Sequence, residues 1–323
     1  MKRMVGYTAG VFIAVGFLLL AAFSYFIYAP LPRQPQLSGR ATTKTLQAGA
    51  HVRSYLEYVP ANLPPDAPLL IVLHGRLMTG EMMREMTGYE FDRAADREHF
   101  AVIYPNGYGR TWHDCRKDRI AQGAHEHVDD VAFVRMLIAA EHASRDINLR
   151  KVFAVGFSNG GHMAMDLALE KNSPVAGVAI FAAGMPVRNE STCPFDTPTP
   201  PVMLVEGTQD PIIPFNGGEA NLLGFEKIGN ELSALATAKA FVRRDDIRAP
   251  ETTTDLPHRD ADDPTSIQKL SWLRDGKPYV VLYKILGGGH VIPEPDYRFP
   301  RLFGRTSRGM DGPAQAVAFF LHR

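Results

Sequence analysis

Short apolar runs alternate with segments of helical pattern along most of this chain. The apolar runs lie at residues 68–73, 101–105, 151–157, 175–182, 201–207 and 279–286, and residues 52–58 alternate as an outer strand does. Helical patterns lie at residues 88–98, 131–143, 162–171, 231–244 and 313–323. An uninterrupted apolar run is typical of a strand that is buried on both faces. Buried strands that alternate with helices predict a mostly parallel α/β sheet flanked by helices.

One strand-to-helix junction carries the strongest chemical signal. Gly156-Phe157-Ser158-Asn159-Gly160 has the form G-x-S-x-G and separates a predicted buried strand from a predicted helix. In that position a sharp, strained turn lifts a serine hydroxyl above the sheet, and glycines allow the turn to approach its neighbours. The motif therefore predicts that Ser158 is a nucleophile. The alternative is a tight turn that merely contains a serine.

A serine hydroxyl needs a base to take its proton and a third group to orient that base. In this arrangement the chain order is serine, then an acid, then histidine. Asp210 follows the strand at 201–207, and His290 follows the strand at 279–286. The carboxyl ends of parallel strands gather at one edge of the sheet. We therefore predict the triad Ser158, Asp210 and His290, against the alternatives of a turn aspartate and a loop histidine.

Acyl transfer also needs two N–H donors for the oxyanion of the tetrahedral intermediate. One predicted donor is the backbone N–H of Asn159, at a helix start where the N–H groups have no partner within the helix. The other is the backbone N–H of Arg76, in the His74-Gly75-Arg76 loop after the strand at 68–73. His74 precedes Ser158 in the chain, so it is interpreted as a loop-bracing residue or a substrate contact rather than the base.

The N-terminus differs from the rest of the chain. Residues 5–28 carry no charge, and Lys2 and Arg3 precede them. This run covers the roughly 20 residues that a helix needs to cross a bilayer. It is too long for the apolar core of a cleaved signal peptide, and no A-x-A cleavage site follows. The pattern favours an uncleaved, single-pass membrane anchor over secretion after cleavage, with the remainder outside the cytoplasm.

The predicted domains are an anchor at residues 1–28, a Pro-rich linker at 29–43 and one catalytic domain at 44–323. The chain has 35 basic and 35 acidic residues. A formal net charge of zero argues against a nucleic-acid binder, which needs a basic excess. Three loops, at 76–90, 108–127 and 214–230, are predicted to set specificity. Residues 247–264 are predicted to be a mobile lid or a solvated loop.

Several other residue types allow two interpretations each. Cys115 and Cys193 both fall in loops and can pair in an exported chain, or remain free thiols. Four methionines can line an acyl pocket or pack in the core: Met78, Met82, Met83 and Met86. His162 is expected to be a packed residue. A polar stretch holds His113, His125 and His127 with Asp114 and Asp129, but it lacks metal-ligand spacing, so no metal is predicted.

The ordered motifs resemble those of the secreted polyhydroxybutyrate depolymerase and feruloyl esterase-like serine esterases. The matching pieces are LHGR (73–76), TGYEFDRAADREHFAVIYPNG (87–107), Trp112 before Cys115, VDDVAFVRMLI (128–138), GFSNGGHMA (156–164), GTQDPIIPFNGG (207–218) and GGGH (287–290). The resemblance implies an α/β-hydrolase fold, ester hydrolysis through an acyl-enzyme and no cofactor. It supports the triad, suggests that Trp112 and Asp129-Asp130 shape or brace the site, with Trp112 taken as a substrate contact, and implies pairing of Cys115 with Cys193.

Two segments depart from that pattern. Glu206-Gly207 stands where many relatives have His-Gly, and Val291-Ile292-Pro293-Glu294 stands where many have Thr-Trp-Pro-Gly. Without that tryptophan, an aromatic acyl group is not predicted. The favoured hypothesis is a membrane-tethered serine esterase that acts outside the cytoplasm on soluble short-chain or hydroxyacyl esters, either small molecules or oligomers. The rival hypotheses are a serine peptidase on the same fold and a non-catalytic envelope protein that retains the fold.

Overall fold

A computed structural model of the protein describes residues 2–117, 128–194 and 198–322. Within these residues the helices are α1 (Lys2–Phe26), α2 (Gly80–Met86), α3 (Glu90–Glu98), α4 (Asp130–Arg145), α5 (Asn159–Leu169), α6 (Ala234–Arg244) and α7 (Gly312–Leu321). The strands are β1 (Arg40–Ala48), β2 (His51–Val59), β3 (Leu69–Leu73), β4 (Ala101–Pro105), β5 (Val152–Phe157), β6 (Val178–Phe181), β7 (Val202–Gly207), β8 (Gly218–Leu222), β9 (Glu226–Glu231), β10 (Thr252–Asp255), β11 (Ser266–Arg274) and β12 (Lys277–Leu286).

Ten of the described strands form one sheet in the order β1-β2-β4-β3-β5-β6-β7-β12-β11-β10. The six central strands, from β4 to β12, run parallel. Antiparallel pairs close both edges, β1 with β2 at one and β11 with β10 at the other. The described strands β8 and β9 form a separate hairpin. The predicted α/β sheet is confirmed, and the fold brings the carboxyl ends of β3, β5, β7 and β12 to one edge.

Helices cover both faces of the sheet because the side chains of each central strand alternate between them. Leu69, Ile71 and Leu73 of β3 pack on the side of α4, α5 and α6. Leu70 and Val72 pack on the side of α2, α3 and α7. All five side chains are almost completely buried. This double burial explains why the central strands have uninterrupted apolar sequences.

Two parts of the predicted organisation need correction. β1 begins at Arg40, so the end of the predicted linker 29–43 belongs to the sheet. β10 lies inside residues 247–264 and pairs with β11, so that insertion extends the sheet edge instead of forming a lid or a purely irregular loop. Both strands are polar and mostly exposed, with TTTD in β10 and RATTKTLQA in β1. Edge strands of this kind lack the apolar run that marks the central strands.

The N-terminal helix α1 lies outside the sheet. The predicted membrane span covers residues 5–28, and the side chains of residues 5–13 lie outside the described part. Among the described residues, none belongs to a helix with both the length and the apolar character needed to cross a membrane. The span therefore stays a prediction. The following segment is attached to the domain, since the Ser38 hydroxyl donates to Asp96 over 2.7 Å.

Candidate active site

Ser158 sits on a strained turn between β5 and α5. Its φ is +54° and its ψ is −119°, in a region that residues other than glycine rarely occupy. The two flanking positions must be glycines because a side chain at either one has no room. A side chain on Gly156 would collide with the carbonyl of Gly160, and one on Gly160 would collide with the carbonyls of Leu73 and His74. The G-x-S-x-G sequence therefore produces the sharp turn that holds Ser158 at the edge of the sheet.

The structure brings Ser158, His290 and Asp210 into one chain of hydrogen bonds. His290 Nε2 lies 2.9 Å from Ser158 Oγ, and His290 Nδ1 lies 2.8 Å from Asp210 Oδ2. The other Asp210 oxygen accepts the backbone N–H groups of Ile212 and Ile213, at 2.7 and 2.8 Å. Those bonds leave Oδ2 directed at the imidazole. If Nδ1–H donates to Asp210, Nε2 is the acceptor for the serine hydroxyl.

The two residues predicted to donate backbone N–H groups to the oxyanion line the same cavity as Ser158. Asn159 is the first residue of α5, where N–H groups lack intrahelical acceptors. Arg76 follows β3, and its guanidinium binds Glu226 of β9 over 2.8 Å. Gly75 allows the loop to lie close to the nucleophile, since a side chain there would reach 3.1 Å from the Phe157 ring. Arg76, Asn159, Ser158 and His290 all line one cavity.

His74 and Trp112 lie below this cavity and do not line it. His74 Nδ1–H donates to the Gly75 carbonyl over 2.7 Å, and the Gly107 N–H donates to Nε2 over 3.0 Å. Trp112 Nε1–H donates to the His74 carbonyl over 2.9 Å. Burial lowers the pKa of His74 to about 4, so it is neutral at physiological pH. Both side chains are fully buried, so they hold the loop after β3, which is the bracing role that the sequence left open for each, and a substrate contact stays a prediction.

The Asn159 side chain has a role that the sequence analysis missed. Its Oδ1 accepts the Trp112 N–H over 2.7 Å and the Thr111 hydroxyl over 3.0 Å. Its Nδ2 donates to the Trp112 carbonyl over 3.0 Å and to Asp114 over 3.1 Å. Asp114 in turn holds Arg116 with two hydrogen bonds of 2.7 and 2.8 Å. The Asn159 side-chain amide therefore ties the start of α5 to the segment 111–116. The position of Asn159 directly after Ser158 in the motif was the sequence signal that could have indicated this role.

A disulfide joins Cys115 to Cys193, with a Cα–Cα distance of 4.9 Å and a separation of 78 residues. The pairing is confirmed. Cys115 follows the segment that Asn159 binds, and the Cys115 carbonyl accepts the Thr192 N–H over 2.7 Å. The bridge and its neighbouring hydrogen bonds therefore fix the segment beside the nucleophile to the loop after β6.

The cavity has a volume of about 380 Å³ and is predominantly apolar. Its apolar lining comprises Leu77, Met78, Met82, Met86, Phe157, Ile212, Ile213, Leu222, Ile228, Tyr297, Phe299, Pro300 and Phe303. Three of the four predicted methionines line it, whereas Met83 packs in the core. Loops 76–90 and 214–230 contribute as predicted. The segment 297–303 was missed, because its contribution depends on how the chain returns after β12.

Two buried carboxyl groups occupy the positions that depart from the family pattern. Glu206, at the end of β7, accepts the Ala183 N–H over 3.1 Å. Burial, with a smaller effect of the nearby Asp210 charge, raises the pKa of Glu206 well above its usual range. Burial also raises the pKa of Glu294 to about 7, and Glu294 accepts the Tyr297 N–H. Burial therefore favours the protonated form of Glu206 near Asp210, and Glu294 shapes the segment that returns over the cavity.

The remaining histidines have structural partners or fall outside the described residues. His113 donates its backbone N–H to Asp130 over 2.8 Å, while His125 and His127 lie outside the described residues. His162 Nε2 binds Glu231 over 2.7 Å, and its ring is buried on α5. Within the ranges 2–117, 128–194 and 198–322 there is no cluster of three metal-ligating side chains.

Comparison with known proteins agrees with this geometry. Residues 57–231 match the model of the phospholipase/carboxylesterase family. The chain is 28% identical over 310 residues to "Putative esterase NocK" of Nocardia uniformis subsp. tsuyamanensis, covering 91% of this chain and 86% of that protein. It is 26% identical over 191 residues to "Probable feruloyl esterase C" of Aspergillus niger, covering 56% and 64%. A solved acetyl xylan esterase from Aspergillus awamori shares the fold, with a TM-score of 0.53 and 15% identity over 78% of this chain and 95% of that one.

Proposed function

The chain belongs to the phospholipase/carboxylesterase family of α/β-hydrolases, and on that premise we propose that it hydrolyses carboxylic esters with Ser158 as nucleophile. The observation that carries the proposal is the hydrogen-bonded chain from Ser158 through His290 to Asp210, at the end of an apolar cavity. The named relatives include a feruloyl esterase and a protein described as an esterase. Ester hydrolysis is the reaction that these residues and relatives support together.

In the proposed first step, Ser158 Oγ attacks the ester carbonyl carbon while His290 Nε2 takes the hydroxyl proton. Asp210 keeps the imidazole in the correct tautomer and stabilises the imidazolium that forms. The carbonyl oxygen becomes an oxyanion, which accepts the backbone N–H groups of Arg76 and Asn159. When the tetrahedral intermediate collapses, His290 returns the proton to the departing alcohol and the acyl group stays on Ser158.

In the second step, water hydrolyses the acyl-enzyme by the same path. His290 takes a proton from the water, the resulting hydroxide forms a bond to the acyl carbon, and the Ser158–acyl bond breaks. The proton returns to Ser158 Oγ and the carboxylic acid leaves. The apolar lining favours small or medium acyl groups that lack charge, since burial of a charged group costs its hydration. The two arginines that also line the cavity, Arg76 and Arg116, already form ion pairs with Glu226 and Asp114.

The test is hydrolysis of p-nitrophenyl acetate and butyrate by the full chain in detergent. We expect the wild-type protein to hydrolyse both, and Ser158→Ala to lower kcat by on the order of 10⁴-fold or more. A fluorophosphonate probe should label the wild-type protein but not Ser158→Ala. The control is Ser173→Ala, which removes a hydroxyl that bonds to the backbone of Val175 in its own loop. Turnover of Ser158→Ala at the wild-type rate would sink the assignment.

We also propose that the catalytic domain functions outside the cytoplasm and is tethered there through residues 5–28. The uncharged N-terminal run supports the tether. The disulfide between Cys115 and Cys193 supports the location, because structural disulfides persist in oxidising compartments. The test is thiol alkylation of intact cells before and after reduction. We expect both cysteines to react only after reduction, and reaction of both without a reductant would contradict this location.

A further inference from the structure

Exposed apolar side chains occur in three segments that also contribute to the lining of the cavity. Phe225, at the tip of the β8–β9 hairpin, is 91% exposed, and Leu302 is 42% exposed. Leu77, on the loop after β3, is 57% exposed and itself lines the cavity. The hairpin contributes Leu222 and Ile228 to the lining, and the segment that holds Leu302 contributes Pro300 and Phe303. Exposed large apolar residues that cluster around a site mark a contact surface, whereas isolated ones are ordinary.

The end of α1 lies beside the same cavity. The Arg301 guanidinium lies 4.1 Å from the centre of the Tyr25 ring. Arg301 begins a short turn that ends at Phe303, which lines the cavity. Ala29, just after the helix, packs against the core cluster that includes Phe299. The helix end is therefore attached beside the cavity mouth, and its exposed apolar side chains continue the apolar rim. These side chains include Phe17, Leu18, Leu19, Leu20 and Phe23.

The loop at this edge is also basic. Residues 298–305 read RFPRLFGR, with three exposed arginines, Arg298, Arg301 and Arg305, and no acidic residue. None of the three forms an ion pair with any residue in the described ranges. Arginines interleaved with aromatic and aliphatic side chains suit the boundary of an anionic bilayer, where the apolar groups enter the interface and the cations attract headgroups.

We propose that this rim, formed by Leu77, Phe225 and the loop 298–305, docks on an anionic lipid surface. The continuity of the rim with the apolar helix α1 and the uncompensated basic charge both favour a bilayer as the occupant. If the proposed esterase activity holds, on which this consequence rests, an ester with its acyl chain in the lipid can enter the apolar cavity without crossing bulk water. The enzyme then prefers lipid-borne esters to equally reactive soluble ones.

Tryptophan fluorescence offers a test that does not depend on activity. Both native tryptophans, Trp112 and Trp272, are buried, so Phe225→Trp adds an exposed reporter at the rim. We expect brominated phospholipid in phosphatidylglycerol-containing vesicles to quench at least half of the added emission in the full chain. The matched control is Leu149→Trp, at an exposed position after α4, which should remain unquenched. An unquenched reporter at position 225 in vesicle-bound protein would overturn the proposal.

The competing occupant is a second copy of the chain. It predicts that the emission of Phe225→Trp shifts with protein concentration in detergent without lipid, and such a shift without quenching by lipid would also overturn the proposal.

A second measurement compares a lipid-borne ester with a soluble short-chain ester. We expect Leu302→Ser to slow hydrolysis of the lipid-borne ester at least threefold and to leave the soluble ester unchanged, while Leu149→Ser changes neither. If the protein lacks the proposed esterase activity, neither ester is hydrolysed but quenching persists, so the two failures are distinguishable.

Discussion

The floor and the roof of the cavity are built in opposite ways. The floor consists of the turn at Ser158, the triad partners and the segment 106–117, and most of the polar groups around Asn159 and His290 are buried and bonded to one another. The roof consists of the β8–β9 hairpin and the loop 298–305. A half-exposed ion pair between Arg76 and Glu226 connects the hairpin to the loop after β3, and Phe225 at the hairpin tip faces solvent.

This difference separates chemistry from substrate selection. Proton transfer and oxyanion binding need atoms fixed to within a fraction of an ångström, and a dense buried network provides that. Substrate admission needs surfaces that can adjust, and exposed apolar side chains with few fixed bonds provide that. Substitutions in the floor should therefore change stability and kcat together, while substitutions of roof residues that line or position the cavity should change KM with little effect on stability.

Among the substitutions that test the comparison between floor and roof, Asn159→Ala is expected to have the largest effect. The substitution removes four hydrogen bonds and leaves the buried Trp112 N–H without its acceptor. We expect a loss of about 2–3 kcal/mol in the free energy of unfolding, measured in urea. We also expect kcat to fall, because the start of α5 supplies a proposed oxyanion donor. Asn221→Ala in the roof removes one bond to the Gly224 N–H, and an equal loss there would break the comparison.

An intermediate effect, dependent on pH, is expected for Glu206→Gln, because the Glu206 carboxyl group in β7 lies near Asp210 of the floor. Burial raises the pKa of Glu206, so the folded protein holds a proton that the unfolded chain releases above its ordinary value of 4.5. The native state is therefore favoured most below that pH, and this stability is lost as pH rises toward the raised value. Glutamine needs no proton, so the variant should gain Tm over the wild type at pH 8 but not at pH 4. An equal change at both values would contradict a protonated Glu206.

The smallest effect is expected for Glu226→Gln in the roof. It breaks the half-exposed ion pair with Arg76, and pairs of this exposure contribute about 0–1 kcal/mol. We expect unfolding to change by less than about 1 kcal/mol, and KM for the butyrate ester to rise about two- to threefold with kcat retained. Glu219→Gln is the matched control, because Glu219 binds Lys227 within the same hairpin and does not contact the loop after β3. A fall in kcat without a change in KM would assign Glu226 to the floor.

The sequence predicts the floor better than the roof for a physical reason. The turn at Ser158 is determined by local sterics, and the central strands are marked by double burial, so both leave patterns in a few adjacent residues. The position of Phe299 and Phe303 over the cavity depends on the path of the chain after β12, which no local pattern records. The sequence could not decide between a bracing role and a substrate contact for Trp112, because its placement depends on a hydrogen bond to His74, 38 residues away.

The site is also assembled from distant parts of the chain. Ser158 and His290 are 132 residues apart, and Asp210 and His290 are 80 apart. They meet only when β12 pairs with β7 in parallel. This long-range step is slow because the chain loses loop-closure entropy before the stabilising contacts form. During synthesis the serine emerges well before its base. A nascent or partly folded chain therefore has the strained serine but no activated nucleophile, and hydrolytic activity reports completion of the central sheet.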